Sequence, residues 1–116
     1  MNTYVFQVDI SYGIEESYQA ALSAENMKGA VLKLGAIRYA METDGYDPDE
    51  LQRDNPEGNP YTEELLEKEG PNVGLWDHCV EITPEGMVNY YRPYHPMDNK
   101  IPETAWGIQY YSEKLP

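Results

Sequence analysis

Residues 23–43, SAENMKGAVLKLGAIRYAMET, form the longest stretch of the chain with a sustained helical period. Apolar side chains recur in it at steps that suit a helix: Met27, Ala30, Val31, Leu34, Ile37 and Met41. This spacing places them on one stripe, whereas Lys28 and Lys33 fall off the stripe. We therefore predict one long helix that starts at a Ser23 cap, stops at Gly45 and lies on a sheet.

Alternation of apolar and polar side chains predicts strands on both sides of this helix. The predicted strands cover residues 3–12, 17–22, 76–82, 87–92 and 105–111. The first pair gives a ββα opening, and the turn at Thr83-Pro84-Glu85-Gly86 joins the third strand to the fourth. The core-facing residues predicted on the third strand are Trp76, His78, Val80 and Ile82. The prediction is an α+β fold, a mostly antiparallel sheet of about five strands covered by one long helix.

The segment from Asp44 to Glu69 is strongly acidic. Its ten carboxylates less Arg53 and Lys68 leave minus 8, out of minus 13 for all 116 residues. Asp47-Pro48-Asp49-Glu50 resembles a helix start, and Asn59-Pro60 another that leads into a helix over 61–69. We expect a single domain, 1–116, with an acidic excursion at 44–70.

Charge and cysteine content limit the classes of partner and compartment. A net charge of minus 13 disfavours direct binding to nucleic acid or anionic membranes and favours a basic protein surface. The single cysteine, Cys79, cannot form an intramolecular disulfide, and no secretion signal or long apolar run is present. We expect a cytoplasmic protein, or one in the host cytoplasm if the chain is virus-encoded.

His78, Cys79, His95 and Asp98 are the residues that could ligate zinc. Adjacent residues on a strand point to opposite faces, so His78 and Cys79 are not expected to share an ion or form a catalytic pair. We interpret His78 as a hydrogen-bonded core residue, and predict no metal, no cofactor and no enzymatic activity. Neither a GxSxG nucleophile motif nor a Walker or dinucleotide-binding loop is present.

Aromatic residues concentrate in the final third of the chain. Eleven tyrosines include Tyr90, Tyr91, Tyr94, Tyr110 and Tyr111. In each adjacent pair we expect one ring to face the core and the other to be exposed. Most should pack across strands, while the exposed ones are suited to a protein interface.

These features predict a non-enzymatic binding protein or inhibitor that occupies the basic surface of a nucleic-acid-handling protein. Its predicted contact residues are Asp47, Asp49, Glu50, Asp54, Glu57, Glu63, Glu64, Glu67, Tyr61, Tyr91, Tyr94 and Tyr111. In size, acidity and tyrosine content the chain is similar to virus-encoded inhibitors that mimic nucleic acid, including some anti-CRISPR proteins. The alternative is a small-molecule-binding or sequestering protein with Trp76, Trp106 and tyrosines as pocket walls; a small enzyme is the third hypothesis.

Overall fold

The structure, a computed structural model, describes residues 1–11, 15–42, 59–93 and 106–116. The elements follow in the order β1 (Asn2–Ser11), β2 (Glu15–Ala24), α1 (Met27–Glu42), α2 (Glu63–Glu69), a 3-10 turn (Gly70–Val73), β3 (His78–Ile82), β4 (Met87–Arg92) and β5 (Ile108–Lys114). The five strands form an antiparallel sheet in the order β2-β1-β3-β4-β5. The described residues therefore form a small α+β domain.

The prediction of one long covering helix over 23–43 is wrong. Ser23 and Ala24 belong to β2, where their backbones pair with the start of β1. The helix begins only after Asn26, whose Oδ1 accepts a hydrogen bond from the Gly29 backbone N at 2.9 Å. Asn26 thus takes the capping role that we assigned to a serine. The described residues form two short α-helices, α1 with 16 residues and α2 with 7.

The core lies between these helices and one face of the sheet. Its buried residues come from β1, β2, α1, α2, β3 and the segment before β3: Tyr4, Phe6, Val8, Ala24, Ala30, Val31, Leu34, Leu66, Leu75, Trp76 and Cys79. Phe6 and Trp76 meet edge to face at 5.6 Å between ring centroids. Burial of Tyr4, Phe6, Val8, Ala30, Val31 and Leu34 confirms the predicted inner faces of the first strand and the helix at these positions.

The register of β3 on β1 reverses the faces predicted for the third strand. Cys79 lies opposite Phe6, and Glu81 lies opposite Tyr4. Paired residues on neighbouring strands share a face of the sheet, so the buried aromatic rings of β1 place Cys79 and Glu81 inside. Both are buried, whereas His78 is exposed. The interpretation of His78 as a core histidine is therefore wrong.

The last strand also differs from the prediction, because it begins at residue 108 rather than at 105. Tyr110 and Tyr111 are both exposed, so the expectation that one of them faces the core is wrong. Tyr90 pairs with Tyr111 but Tyr91 pairs with Gln109, which leaves Tyr110 as an extra residue at this irregularity. Side chains of β5 therefore do not alternate regularly between the two faces of the sheet.

The predicted turn between β3 and β4 is confirmed. Gly86 has a φ of +88°, a left-handed conformation that glycine adopts without strain. Thr83 Oγ1 accepts a hydrogen bond from the Met87 backbone N at 3.0 Å and fixes the start of β4.

The second predicted helix is confirmed as α2, with its first residue at Glu63. The Thr62 hydroxyl caps it by accepting a hydrogen bond from Leu65 N at 3.2 Å, and Gly70, with a φ of 63°, ends it. The helix start predicted at 47–50 lies outside the described residues. Within the described ranges, neither α1 nor α2 is long and apolar enough to cross a bilayer.

Gly35 marks the close contact between α1 and the segment that leads into α2. A Cβ atom at this position would lie 2.6 Å from Tyr61 Cβ and 3.0 Å from Tyr61 Cγ. These distances are too short for van der Waals contact. Tyr61 Cβ is bonded directly to the backbone, so it cannot move aside by a side-chain rotation. The absence of a side chain at Gly35 is therefore what lets Tyr61 pack against the helix.

We expect Gly35→Ala to destabilise the protein by about 1 to 3 kcal/mol, although alanine is the better helix former. Gly29→Ala is the matched control, because a Cβ there would meet Asn26 Oδ1 at 3.5 Å and Ala24 Cβ at 3.7 Å, which are ordinary contacts. The control should be neutral or slightly stabilising. Urea unfolding of both variants measures the difference, and equal stabilisation by the two alanines would contradict the packing of Tyr61.

Candidate functional site

A cavity of about 440 Å³ opens between the beginnings of β1 and α1 and the strands β3 and β4. The described residues that line it are Asn2, Tyr4, Glu25, Asn26, Met27, Lys28, Glu81, Tyr91 and Trp106. A space of this size falls within the range of small-ligand pockets in proteins.

Glu81 is a buried carboxylate in the wall of this cavity, with 9% of its surface exposed. Its Oε1 accepts hydrogen bonds from Asn89 Nδ2 at 2.7 Å and from the Tyr91 hydroxyl at 3.3 Å. Its Oε2 accepts one from Asn2 Nδ2 at 3.3 Å. The Tyr4 hydroxyl also hydrogen-bonds this carboxylate. All these partners are neutral, and they come from the strands on either side of β3.

Burial and the hydrogen bond to Glu81 raise the pKa of Tyr4 well above its usual range. Its hydroxyl therefore stays protonated and remains a donor at neutral pH. Among the described residues, the ion pairs are those of Lys28, and no cation lies within ion-pair distance of Glu81. A buried carboxylate gains stability from a compensating positive charge, and the described residues supply hydrogen bonds only.

Lys28 stands at the edge of the cavity and joins α1 to α2. Its Nζ lies 2.8 Å from Glu67 Oε1 and 3.6 Å from Glu63 Oε1. The hydrogen bond between Lys28 and Glu67 raises the pKa of the ammonium and lowers the pKa of the carboxyl. The same ammonium lies 5.9 Å from the centroid of the Trp106 ring, within cation–π range.

The structure brings together part of the predicted contact set on α2. Glu63, Glu64 and Glu67 are exposed on this helix, and Glu69 at its end is exposed as well. Tyr61, just before the helix, is half-buried.

Tyr91 lies on β4 and Tyr111 on β5. Tyr91 is half-buried and faces the cavity, whereas Tyr111 is 55% exposed and stacks on Tyr90 at 4.3 Å between ring centroids. Hydrogen bonding to Tyr111 and then to Glu113 raises the pKa of Tyr90 to about 12. The remaining predicted contact residues lie outside the described residues: Asp47, Asp49, Glu50, Asp54, Glu57 and Tyr94.

Sequence reasoning missed the residues that form the carboxylate site, Asn2, Glu81 and Asn89. Glu81 pairs directly with Tyr4 on one side and with Asn89 on the other. The alternation of buried aromatic residues in β1 could have indicated this site. Residues paired across neighbouring strands lie on the same face of the sheet, so a residue paired with Tyr4 must also point inward.

The described side chains bear on two other chemical roles, metal binding and catalysis by a cysteine nucleophile. Within the described ranges, no group of three or more His, Cys, Asp and Glu side chains is placed to hold a metal ion. His95 and Asp98 lie outside those ranges. Cys79 is 1% exposed, and burial, followed by the nearby charge of Glu81, raises the pKa of its thiol well above its usual range. A thiol of this kind is a poor nucleophile, because the thiolate is the reactive form.

Comparison of the chain with known protein families, with curated proteins and with solved structures gives no match.

We expect Cys79 to react extremely slowly with the thiol reagent dithiobis-nitrobenzoate at pH values near 8, because its thiol is buried and protonated in the fold. In urea above the unfolding midpoint, the same thiol should react at the rate of a free cysteine. Absorbance of the released thiol measures both rates. Rapid reaction of the native protein would contradict the burial of Cys79 and would reopen a catalytic role for it.

Proposed function

We propose that this chain is a non-enzymatic binding protein that occupies a basic surface of a partner protein, of the kind that otherwise receives nucleic acid. The observation that carries the proposal is the exposed carboxylate array of α2 in a chain with a net charge of minus 13. The array consists of Glu63, Glu64, Glu67 and Glu69.

The anchoring of α2 supports this reading. Leu66 is fully buried in the core, and the helix is capped at Thr62 and ended at Gly70. The carboxylates are therefore carried on a fixed element, and binding costs less conformational entropy than it would with a flexible acidic tail.

The negative charge of the chain favours a partner with a basic surface. Carboxylates on a strongly anionic protein repel phosphates and attract clustered lysine and arginine, which steers association and raises its rate. Nucleic acid and anionic membranes are therefore not the proposed direct partners. A protein groove that binds phosphates is the complementary surface, as for the nucleic-acid-mimicking inhibitors to which the chain is similar in size and acidity. The proposed partner is cytoplasmic, in the host cell if the chain is virus-encoded.

The exposed tyrosines of β5 support a protein partner. Tyr110 and Tyr111 are 51% and 55% exposed, and the guanidinium carbon of Arg92 lies 5.7 Å from the Tyr110 ring centroid. Large aromatic side chains on a surface bury considerable area on binding and are enriched among residues that dominate interface energies.

We expect the double variant Glu64→Lys/Glu69→Lys to dissociate faster from the basic partner, with affinity reduced about tenfold or more. These two residues are chosen because the ion pairs of the described residues involve Glu63 and Glu67 instead, so the Lys28 link is kept. The partner would be captured from a lysate of the native host, identified by mass spectrometry and immobilised for surface plasmon resonance.

The control for this experiment is Glu25→Lys/Glu85→Lys, which changes the net charge equally on exposed residues outside α2 and β5. It should affect mainly the association rate. Equal losses in the two variants would mean that only the overall field matters. A bound duplex DNA competitor that fails to displace the protein would refute the mimicry of nucleic acid while leaving protein binding in place.

We also expect Tm to rise between low salt and about 0.1 M sodium chloride, where the Debye length falls to about 10 Å. The reason is that screening weakens the repulsion among the clustered carboxylates of the folded chain. Differential scanning calorimetry at constant pH measures the change. A Tm that stays flat or falls over this range would contradict a fold that holds its excess negative charge together.

A further inference from the structure

We propose that the cavity beside Glu81 is a binding site for an alkylated ammonium group, a cation whose nitrogen carries methyl groups in place of N–H donors. This site is separate from the carboxylate array of α2 and does not depend on the partner proposed for it. The proposal rests on the charge of the cavity, on the hydrogen bonds of its carboxylate and on its aromatic walls.

The charge of the lining favours a cation. Among the described lining residues, Glu25 and Glu81 against Lys28 give a net charge of minus 1. Lys28 is already paired with Glu67 and Glu63, so it offers little attraction to an anion. The start of α1 contributes a partial positive charge of about one half. That is smaller than the full charge of the buried carboxylate.

The hydrogen bonds of Glu81 select the kind of cation. A carboxylate offers about four lone-pair positions, and this one already accepts bonds from Asn89, Tyr91, Asn2 and Tyr4. A primary ammonium or a guanidinium would have to displace one of these donors to make its own hydrogen bond. An alkylated ammonium has no N–H to satisfy, and it responds only to the charge. Within the described residues, the carboxylate is thus satisfied in hydrogen bonds but has no cation within ion-pair distance.

The cavity also has aromatic walls of the type that receives such cations. The lining includes three aromatic residues, of which Tyr91 and Trp106 are partly exposed and Tyr4 is fully buried. The negative face of an aromatic ring attracts a cation, and recognition of quaternary ammonium by aromatic cages is an established use of this interaction. The Lys28 ammonium lies 5.9 Å from the Trp106 centroid, so one positive charge already lies within cation–π range of this ring.

An alkylated ammonium can come from two sources, a free small molecule such as choline or the side chain of trimethylated lysine in a protein. Isothermal titration of the full chain with choline and with N-acetyl-trimethyllysine amide distinguishes them. Measurable binding of either probe is expected, and the tighter of the two identifies the source. Each is compared with its neutral isostere, in which carbon replaces nitrogen, and with its unmethylated amine.

The expected result is that at least one cation binds about tenfold or more tightly than both of its matched controls, since it alone combines charge with no donor to satisfy. Equal binding of the neutral isostere would overturn the role of charge. Tighter binding of the unmethylated amine would overturn the hydrogen-bond argument, and no binding of either probe would overturn the site.

Variants locate the site. Glu81→Gln keeps the shape of the side chain and removes its charge, and it should weaken binding about tenfold or more. Glu85→Gln, which removes an exposed charge on the β3–β4 turn, should bind like the unmodified chain. If circular dichroism shows that Glu81→Gln does not fold, Trp106→Leu replaces it, because it removes the ring and leaves the carboxylate network. Unchanged affinity in a folded Glu81→Gln or Trp106→Leu variant would overturn the assignment, and the isostere comparison on the unmodified chain holds whether or not either variant folds.

Discussion

The hydrogen bonds around Glu81 are the constraint on which the arrangement of the sheet depends. This residue pairs with Tyr4 on β1 and with Asn89 on β4, and donors from both flanking strands converge on its carboxylate. A shift of β3 by one residue would turn Glu81 to the opposite face and leave those donors without their shared acceptor. The carboxylate thus selects one register for three strands, and the same register exposes it to the cavity.

Two short helices, rather than one long helix, pack on the sheet, and the start of α1 forms one side of the cavity. Asn26 starts α1 late enough for β2 to reach Ala24, so the first turn of the helix stands beside the start of β1. Lys28 then ties this turn to α2 through Glu67, and Trp106 lies within cation–π range of the same ammonium. The cavity is the space left between these contacts. The proposed ligand site and the acidic helix are therefore connected through one lysine.

Sequence patterns predicted what depends on local period, and they failed where long-range pairing decides. The buried faces of β1 and α1 and the existence of α2 follow from spacing, because Tyr4 and Leu34 recur with the period of their element. The start of α1 was predicted too early because Ser23 is locally a reasonable helix cap. Pairing of Ser23 with Thr3 of β1 keeps it extended instead, and local sequence does not show that pairing. The faces of β3 were predicted in reverse because an inward Glu81 violates the expected pattern, and two of its four donors, Asn2 and Tyr4, lie far away in the chain. The exposed glutamates of α2 could be anticipated from charge, whereas the carboxylate network depends on the pairing of β3 with both β1 and β4.

Glu81 is held in the sheet by hydrogen-bond donors from its neighbouring strands. A double-mutant cycle in urea unfolding with Glu81→Leu, Asn89→Leu and the double variant tests it most directly, because the 2.7 Å bond between these side chains is the shortest in the network. We expect a coupling free energy of about 1 kcal/mol or more between the two positions, because either single change leaves the other polar group without its hydrogen-bond partner. Effects that add to within about 0.3 kcal/mol would contradict it, because independent sites behave in that way.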